Sequence, residues 1–87
     1  SGISSISYHF EIPMIVTDTG GLKEMIGDRG TGLVAESCTP EAIRNEIIRY
    51  FSDPGTGEKC RDRIREEKER LSWNSFCSKL LDFYKTI

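Results

Sequence analysis

The apolar residues at the start of the chain recur at the spacing of a helix. Ile3, Ile6 and Phe10 are separated by three and four positions, which is the repeat of one helical face. Proline restricts the backbone of the residue before it to extended conformations. We therefore expect a helix over residues 2–11 that ends before Pro13.

Two strands are expected next, and the first is a short apolar, partly β-branched run of the kind buried on both faces. They cover residues 14–17 and 33–36. The apolar residues between them return to helical spacing and predict a short helix over residues 22–27. The order strand, helix, strand is the unit from which parallel sheets are built.

The second half of the sequence predicts three more helices. Thr39 is a suitable N-cap with Pro40 at the first helical position, and the Asp-Pro-Gly at residues 53–55 should end that helix. A charged helix is expected over residues 56–71, and Ser72 should cap a last one. The wide apolar face of this last helix comprises Trp73, Phe76, Cys77, Leu80, Leu81 and Tyr84.

The resulting pattern is α/β, with short parallel strands and about five helices. In such folds ligands bind beyond the carboxyl ends of the strands. The triplet Asp18-Thr19-Gly20 after an apolar run is also typical of aspartic proteases. Those proteins are almost entirely β, whereas here a helix should follow the triplet. We therefore interpret Asp18 as a turn residue whose side chain accepts a hydrogen bond from the next loop amides.

Composition restricts the function further. The chain has 87 residues, 37% of them apolar and 30% charged, which suits one small globular unit. Its net charge is −2, so no basic surface for nucleic acid is expected. The longest apolar run, at residues 14–16, is far too short for a transmembrane segment.

Cysteine and histidine give no sign of a metal centre or a disulfide framework. Cys38, Cys60 and Cys77 are widely separated, and His9 is the single histidine. We therefore expect no metal, no cofactor and a reducing, cytoplasmic environment. Cys60 and Cys77 lie on the apolar faces of predicted helices and should be buried thiols.

Several stretches taken together resemble a known family. The order of elements in "IPMIVTDTGGLKEMIGDRGTGLVAES", "TPEAIRNEIIRYFSDP" and "RLSWNSFCSKLLDFY" is similar to the carboxyl-terminal half of retaining GT-B glycosyltransferases of the glycogen-synthase-like group. The resemblance covers nearly the whole chain. It implies a Rossmann-like fold, a nucleotide-sugar donor, transfer with retained configuration and no obligatory metal.

The chain departs from the family at its Glu-x7-Glu motif. Counted back from Pro13, the second Glu of the motif falls at Ile6, and the first would lie before Ser1. Isoleucine cannot hydrogen-bond a ribose, so either the ribose is held differently or donor binding is lost. Glu11 does not replace the missing Glu, because it aligns with a glycine of the family.

What remains of the implied donor site is backbone. Gly2 and Ile3 would open the first helix, where free N–H groups favour a diphosphate. Gly20 and Gly21 would open the next helix and approach the donor or acceptor in the same way. Glu24 would stabilise the start of that helix. No catalytic residue is assigned.

The resemblance also identifies residues 1–87 as the carboxyl-terminal portion of the nucleotide-sugar-binding domain, inactive without its N-terminal domain. Two alternatives remain open. The chain could be a small Rossmann-like module for a phosphorylated ligand, or a helical interaction domain that docks through its last helix. In isolation that helix should either fold onto the small sheet or cause self-association.

Overall fold

A computed structural model describes residues 2–86, which form two strands and four helical segments. In chain order these are helix α1 (Gly2–Phe10), strand β1 (Ile15–Thr17), a π-helical segment (Lys23–Gly27), strand β2 (Leu33–Ala35), helix α2 (Pro40–Ser52) and helix α3 (Pro54–Thr86). This confirms a mixed, mostly helical α/β fold consistent with a Rossmann-like fragment.

The two strands pair in parallel, as the alternation of elements predicts. Ile15 lies opposite Leu33 and Thr17 lies opposite Ala35. Both strands therefore end at the same edge of the sheet, where residues 18–21 lead into the π-helical segment and residues 36–39 lead into α2. A ligand site at the carboxyl ends of the strands would lie at this edge.

The core is small and lies between the sheet, the π-helical segment and the first half of α3. Ile26 and Ile64 are its largest fully buried apolar side chains. The other buried apolar residues are Val16, Leu33, Ala35 and Cys60. Burial of apolar surface is the main favourable contribution to folding, and α3, which packs beside α2 and α1, adds Cys60 and Ile64 to this core.

The backbone at Gly32, just before β2, packs closely against the backbone at Met14, just before β1. A Cβ atom added at Gly32 would lie 2.2 Å from the carbonyl oxygen of Met14 and 2.7 Å from Cγ2 of Ile26. The next amide, that of Leu33, donates to the same Met14 carbonyl at 2.8 Å. Glycine is therefore required here by space, because any side chain would push the two strands apart.

Helix α1 forms where its spacing predicts, but the opposite face packs inward. Ile3, Ile6 and Phe10 are all 60% to 65% exposed, whereas Ser4 and Ser7 are buried. The Ser7 hydroxyl donates to the carbonyl of Ile12, which satisfies it within the fold. The apolar period therefore marks a face that the described residues leave uncovered, rather than the face that packs on the core.

The predicted number of helices is wrong, because the last two are one. Helix α3 begins at Pro54 and continues through Ser72 without a break. Asp53 accepts a hydrogen bond from the amide of Gly55 at 2.9 Å, so Asp53-Pro54-Gly55 begins a helix as well as ending one. No proline or glycine lies after Gly57 to interrupt the helical backbone.

The second half of α3 leaves the body of the molecule. Every side chain over residues 69–86 is exposed, and the molecule measures 57 × 26 × 18 Å as a result. Cys77 lies in this part and is exposed, so its predicted burial is wrong, whereas Cys60 is buried as expected. Within residues 2–86, no helix has the length and apolar character needed to cross a membrane.

Candidate functional site

A cleft of about 460 Å³ lies where α1, the π-helical segment and α3 meet. That volume is within the range of small-molecule sites. Helix α1 forms one wall, the glycine loop with the first part of the π-helical segment forms another, and α3 closes the third side. Its lining residues are Ser4, Ser5, Tyr8, Gly21, Glu24, Met25, Arg29, Glu67, Arg70 and Leu71.

Tyr8 ties two walls of the cleft together. Its hydroxyl lies 3.1 Å from Oγ1 of Thr31, which is buried, and 3.4 Å from the carbonyl oxygen of Met25. The ring is half-buried on the inward face of α1. A phenol with an apolar body and a bonded polar tip fixes the distance between α1 and the π-helical region, and so fixes the width of the cleft.

Two arginines meet one carboxylate on the α3 side. Oε2 of Glu67 accepts from Nη2 of Arg70 at 2.8 Å, and Oε1 lies 3.7 Å from Nη1 of Arg29. The hydrogen bond from Arg70 lowers the pKa of Glu67, with a smaller effect from the positive charge of Arg29. The same contact raises the pKa of Arg70. Arg29 is the more loosely held of the two guanidinium groups.

The loop after β1 presents backbone donors at the edge of the cleft. Gly20 and Gly21 have φ values of 57° and 81°, a region that favours glycine. Within residues 2–86 their amides donate no hydrogen bond, while the neighbouring amides of Thr19 and Leu22 donate to Thr17 and Thr19. Gly21 lines the cleft. Donors left free in this way can bind acceptor atoms of a ligand.

Glu24 lies in the first turn of the π-helical segment, as the sequence predicts. Its Oε2 is 3.9 Å from the position that a Cβ on Gly21 would occupy. A carboxylate at this position is stabilised by the positive end of the aligned backbone dipoles. The segment has only five residues, so the donors of the glycine loop, and not a long helix dipole, are the feature available to a ligand.

The first turn of α1 reaches the same cleft. Ser4 and Ser5 line it together with Gly21, so the structure brings the turn that starts at Gly2 and Ile3 close to the glycine loop. The side chain of Ile3 points elsewhere and lines a separate apolar groove with Ile6, Ser7, Phe10, Ile12 and Met14. Neither Gly2 nor Ile3 is among the residues that line the cleft itself.

The position of the missing glutamate lies on the other side of α1. Ile6 is 60% exposed and belongs to the apolar groove, not to the cleft. Glu11, which aligns with a family glycine, has a φ of 55°. That is a left-handed conformation in which glycine is unstrained, which gives a physical reason for a glycine at this position.

The predicted side-chain hydrogen bond of Asp18 is not formed among residues 2–86. The turn is instead closed by the amide of Thr19, which donates to the carbonyl of Thr17 at 2.8 Å. The two threonine hydroxyls lie 3.0 Å apart beside it. No group of three or more histidine, cysteine or acidic residues that could hold a metal occurs in the described part of the chain.

Sequence reasoning missed the charged residues of the cleft. Glu67 and Arg70 belong to the charged helix expected over residues 56–71, and charges at such spacing usually form solvated pairs within a helix. The pair does form, but Glu67 is largely buried because Arg29 comes to it from a distant loop. Only the three-dimensional packing of α3 against that loop distinguishes this pair from the exposed ones.

The geometry defines a class of protein: a parallel α/β fragment with a glycine loop and a cleft beside the carboxyl end of its first strand. The profile of one family, Glycosyl transferases group 1, matches residues 7–70. The chain therefore belongs to the group 1 glycosyl transferases. Searches of curated proteins and of solved structures gave no match.

Proposed function

We propose that the chain is the carboxyl-terminal part of the nucleotide-sugar-binding domain of a glycosyltransferase that transfers a sugar with retention of configuration. The family match over residues 7–70 supports the reaction class. The free amides of the glycine loop, which lie at the edge of the cleft, support a role in binding the donor. They are the observation on which the proposal depends.

The diphosphate of the donor would bind to backbone amides from two elements. Gly20 and Gly21 supply free donors from the loop after β1. The first turn of α1, at Gly2 and Ile3, supplies N–H groups at a helix N-terminus, where anions are favoured. Since Ser5 and Gly21 line one cleft, a ligand of a few atoms could contact both.

Arg29 is the side chain best placed to assist. Its guanidinium is 3.7 Å from Glu67 and about half exposed, so it can turn toward a phosphate without leaving a buried carboxylate unpaired. Arg70 would remain with Glu67 and keep that carboxylate neutralised. Charge-assisted hydrogen bonds from arginine to phosphate are stronger than neutral ones.

The isolated chain should not transfer sugar by itself. Catalysis needs donor and acceptor held together in a cleft, and this chain supplies one side of such a site. The assay is sugar transfer from UDP-, GDP- and ADP-sugars to water and to simple glycosides. Turnover above background by the purified 87-residue protein would contradict the proposal that it is a fragment.

Donor binding is tested by following amide signals while UDP is added. We expect shifts at Gly2, Ile3, Gly20 and Gly21, with an affinity no better than about millimolar for so partial a site. Arg29→Gln should weaken the shifts. Arg44→Gln, which removes an exposed arginine of α2, is the matched control and should leave them unchanged. Shifts confined to other residues would remove the glycine loop from the site.

A further inference from the structure

The charged side chains that line the cleft cancel each other. Two are arginines, Arg29 and Arg70, and two are glutamates, Glu24 and Glu67. Two positive and two negative groups sum to zero, so the cleft as a whole offers a diphosphate no net attraction. Which arginine can turn away from its carboxylate therefore decides how strongly an anion is bound.

Arg70 is held closely by Glu67. Its Nη2 donates to Oε2 of the carboxylate at 2.8 Å, and its Nε lies 3.1 Å from the same oxygen and 3.3 Å from Oε1. The two residues are three positions apart on one helix, a spacing at which side chains meet. Contacts of one guanidinium with both oxygens of a carboxylate are among the strongest hydrogen bonds in proteins. Arg70 is therefore not available to a ligand.

Arg29 contacts the same carboxylate by charge alone. Its Nη1 lies 3.7 Å from Oε1 of Glu67, which is too far for a hydrogen bond. It belongs to the loop between the π-helical segment and β2. Its side chain is 49% exposed, whereas that of Glu67 is 12% exposed. Arg29 can therefore leave Glu67 at the loss of one weak contact.

We propose that Glu67 determines which anions bind in the cleft, because its carboxylate competes with the ligand for the two arginines. This inference rests on the proposed function, since it assumes that the donor diphosphate enters the cleft. In the structure both guanidinium groups contact Glu67. When a diphosphate binds, Arg29 turns to it and Arg70 stays with Glu67. One planar guanidinium then matches one phosphate group.

Competition of this kind favours phosphate over weaker anions. A ligand carboxylate would only replace one singly charged partner of Arg29 by another. A terminal phosphate carries about two negative charges at neutral pH and therefore gains more from the guanidinium than Glu67 does. Glu67 thus lowers the affinity of the cleft for every anion, but a singly charged one is excluded from Arg29 first.

The first experiment compares UDP binding by the wild type, Glu67→Gln and Glu69→Gln, measured from the amide signals of the glycine loop. Each variant removes one carboxylate of α3, but Glu69 is exposed and forms no ion pair within residues 2–86. We expect Glu67→Gln to bind UDP about two- to fivefold more tightly and Glu69→Gln to bind it like the wild type. Uridine, which has no phosphate, should bind equally to all three proteins. Circular dichroism verifies that each variant is folded.

The second experiment follows the Nε–H signals of the arginines. In the wild type UDP should shift the signal of Arg29 and leave that of Arg70 in place, whereas in Glu67→Gln it should shift both. Acetate should shift the Arg29 signal in Glu67→Gln but not in the wild type. The wild-type measurement needs no substitution, so it tests the proposal even if Glu67→Gln does not fold.

Different results would overturn this inference and the proposed function. Equal affinities for UDP in all three proteins, with shifts in the glycine loop, would overturn the role of Glu67 and leave the donor site standing. Tighter binding by Glu69→Gln as well would show that overall charge sets the affinity, and not the contacts of Glu67. A shift of Arg70 without Arg29 in the wild type would also contradict the proposal. Loop signals that do not move in any of the proteins would overturn the donor site and this inference with it.

Discussion

The carboxylate of Glu11 lies 3.2 Å from Nζ of Lys68, although the two residues are separated by 57 positions in the chain. Nε of Arg65 donates to the other oxygen of the same carboxylate at 3.0 Å. Together these contacts fasten α3 to the turn between α1 and β1. The hydrogen bond from Lys68 lowers the pKa of Glu11, and the contacts with Arg65 act in the same direction.

Acid should loosen this attachment. Glu11 and Glu67 both have a lowered pKa in the folded chain. A carboxyl group of this kind contributes stability above its unfolded pKa, about 4.3 for glutamate, and loses that contribution as the pH falls through the folded value. We expect the urea midpoint to fall as the pH is lowered from about 7 to about 3.

Variants identify the part of this pH dependence that belongs to the two carboxylates. The double variant Glu11→Gln, Glu67→Gln should be less stable at neutral pH and should lose less on acidification. Glu69→Gln removes a carboxylate of α3 that forms no ion pair within residues 2–86. Its urea midpoint should depend on pH as steeply as that of the wild type. The same pH dependence of the urea midpoint in all three proteins would show that the contacts of Glu11 and Glu67 contribute nothing to stability.

Two substitutions at Glu11 separate its ion pairs from its backbone. Its φ of 55° is strained for a residue with a Cβ, while its side chain contacts Arg65 and Lys68. Glu11→Gln loses the charge and keeps the strain. Glu11→Gly loses the charge and relieves the strain, so it should unfold at the higher urea concentration of the two. The opposite order would mean that the conformation is not costly here.

The fold could be predicted where local signals act alone. The two strands, the N-cap at Thr39 and the helix at residues 2–10 lie close to their predicted positions. The helix break predicted at Ser72 does not occur. The sequence could not decide this point, because a serine is compatible with both an N-cap and a helix interior. The sequence also did not predict which face of α1 is buried. That face carries serines, and a serine can be buried only when it finds a hydrogen-bond partner, as Ser7 does in the Ile12 carbonyl.

The candidate site was only partly predictable, because some of its residues are marked by local sequence signals and others meet only in the folded chain. Gly20 and Gly21 stand out because a glycine pair after a strand marks a turn. Arg29 and Glu67 do not, because their meeting depends on how α3 crosses a loop that is distant in sequence. Charges on a helix are usually solvated, and nothing in the spacing shows which of them becomes buried.

Packing at Gly32 should make it intolerant of any side chain. A Cβ would overlap the Met14 carbonyl at 2.2 Å, and separating the strands to make room would also weaken contacts around Ile26. We expect Gly32→Ala to lower the free energy of unfolding by about 3 kcal/mol or more. Gly2→Ala is the control, because no atom lies within 4 Å of its Cβ position, and its urea midpoint should change little.

The three cysteines should differ in reactivity. Burial raises the pKa of the Cys60 thiol, and the same burial blocks access to it, whereas Cys38 and Cys77 are exposed. Since the thiolate is the reactive form, Ellman's reagent should modify two thiols rapidly in the native chain and the third only after urea is added. Cys60→Ser should abolish the slow phase and leave the fast one, so three equal rates would contradict the packing of Cys60 in the core.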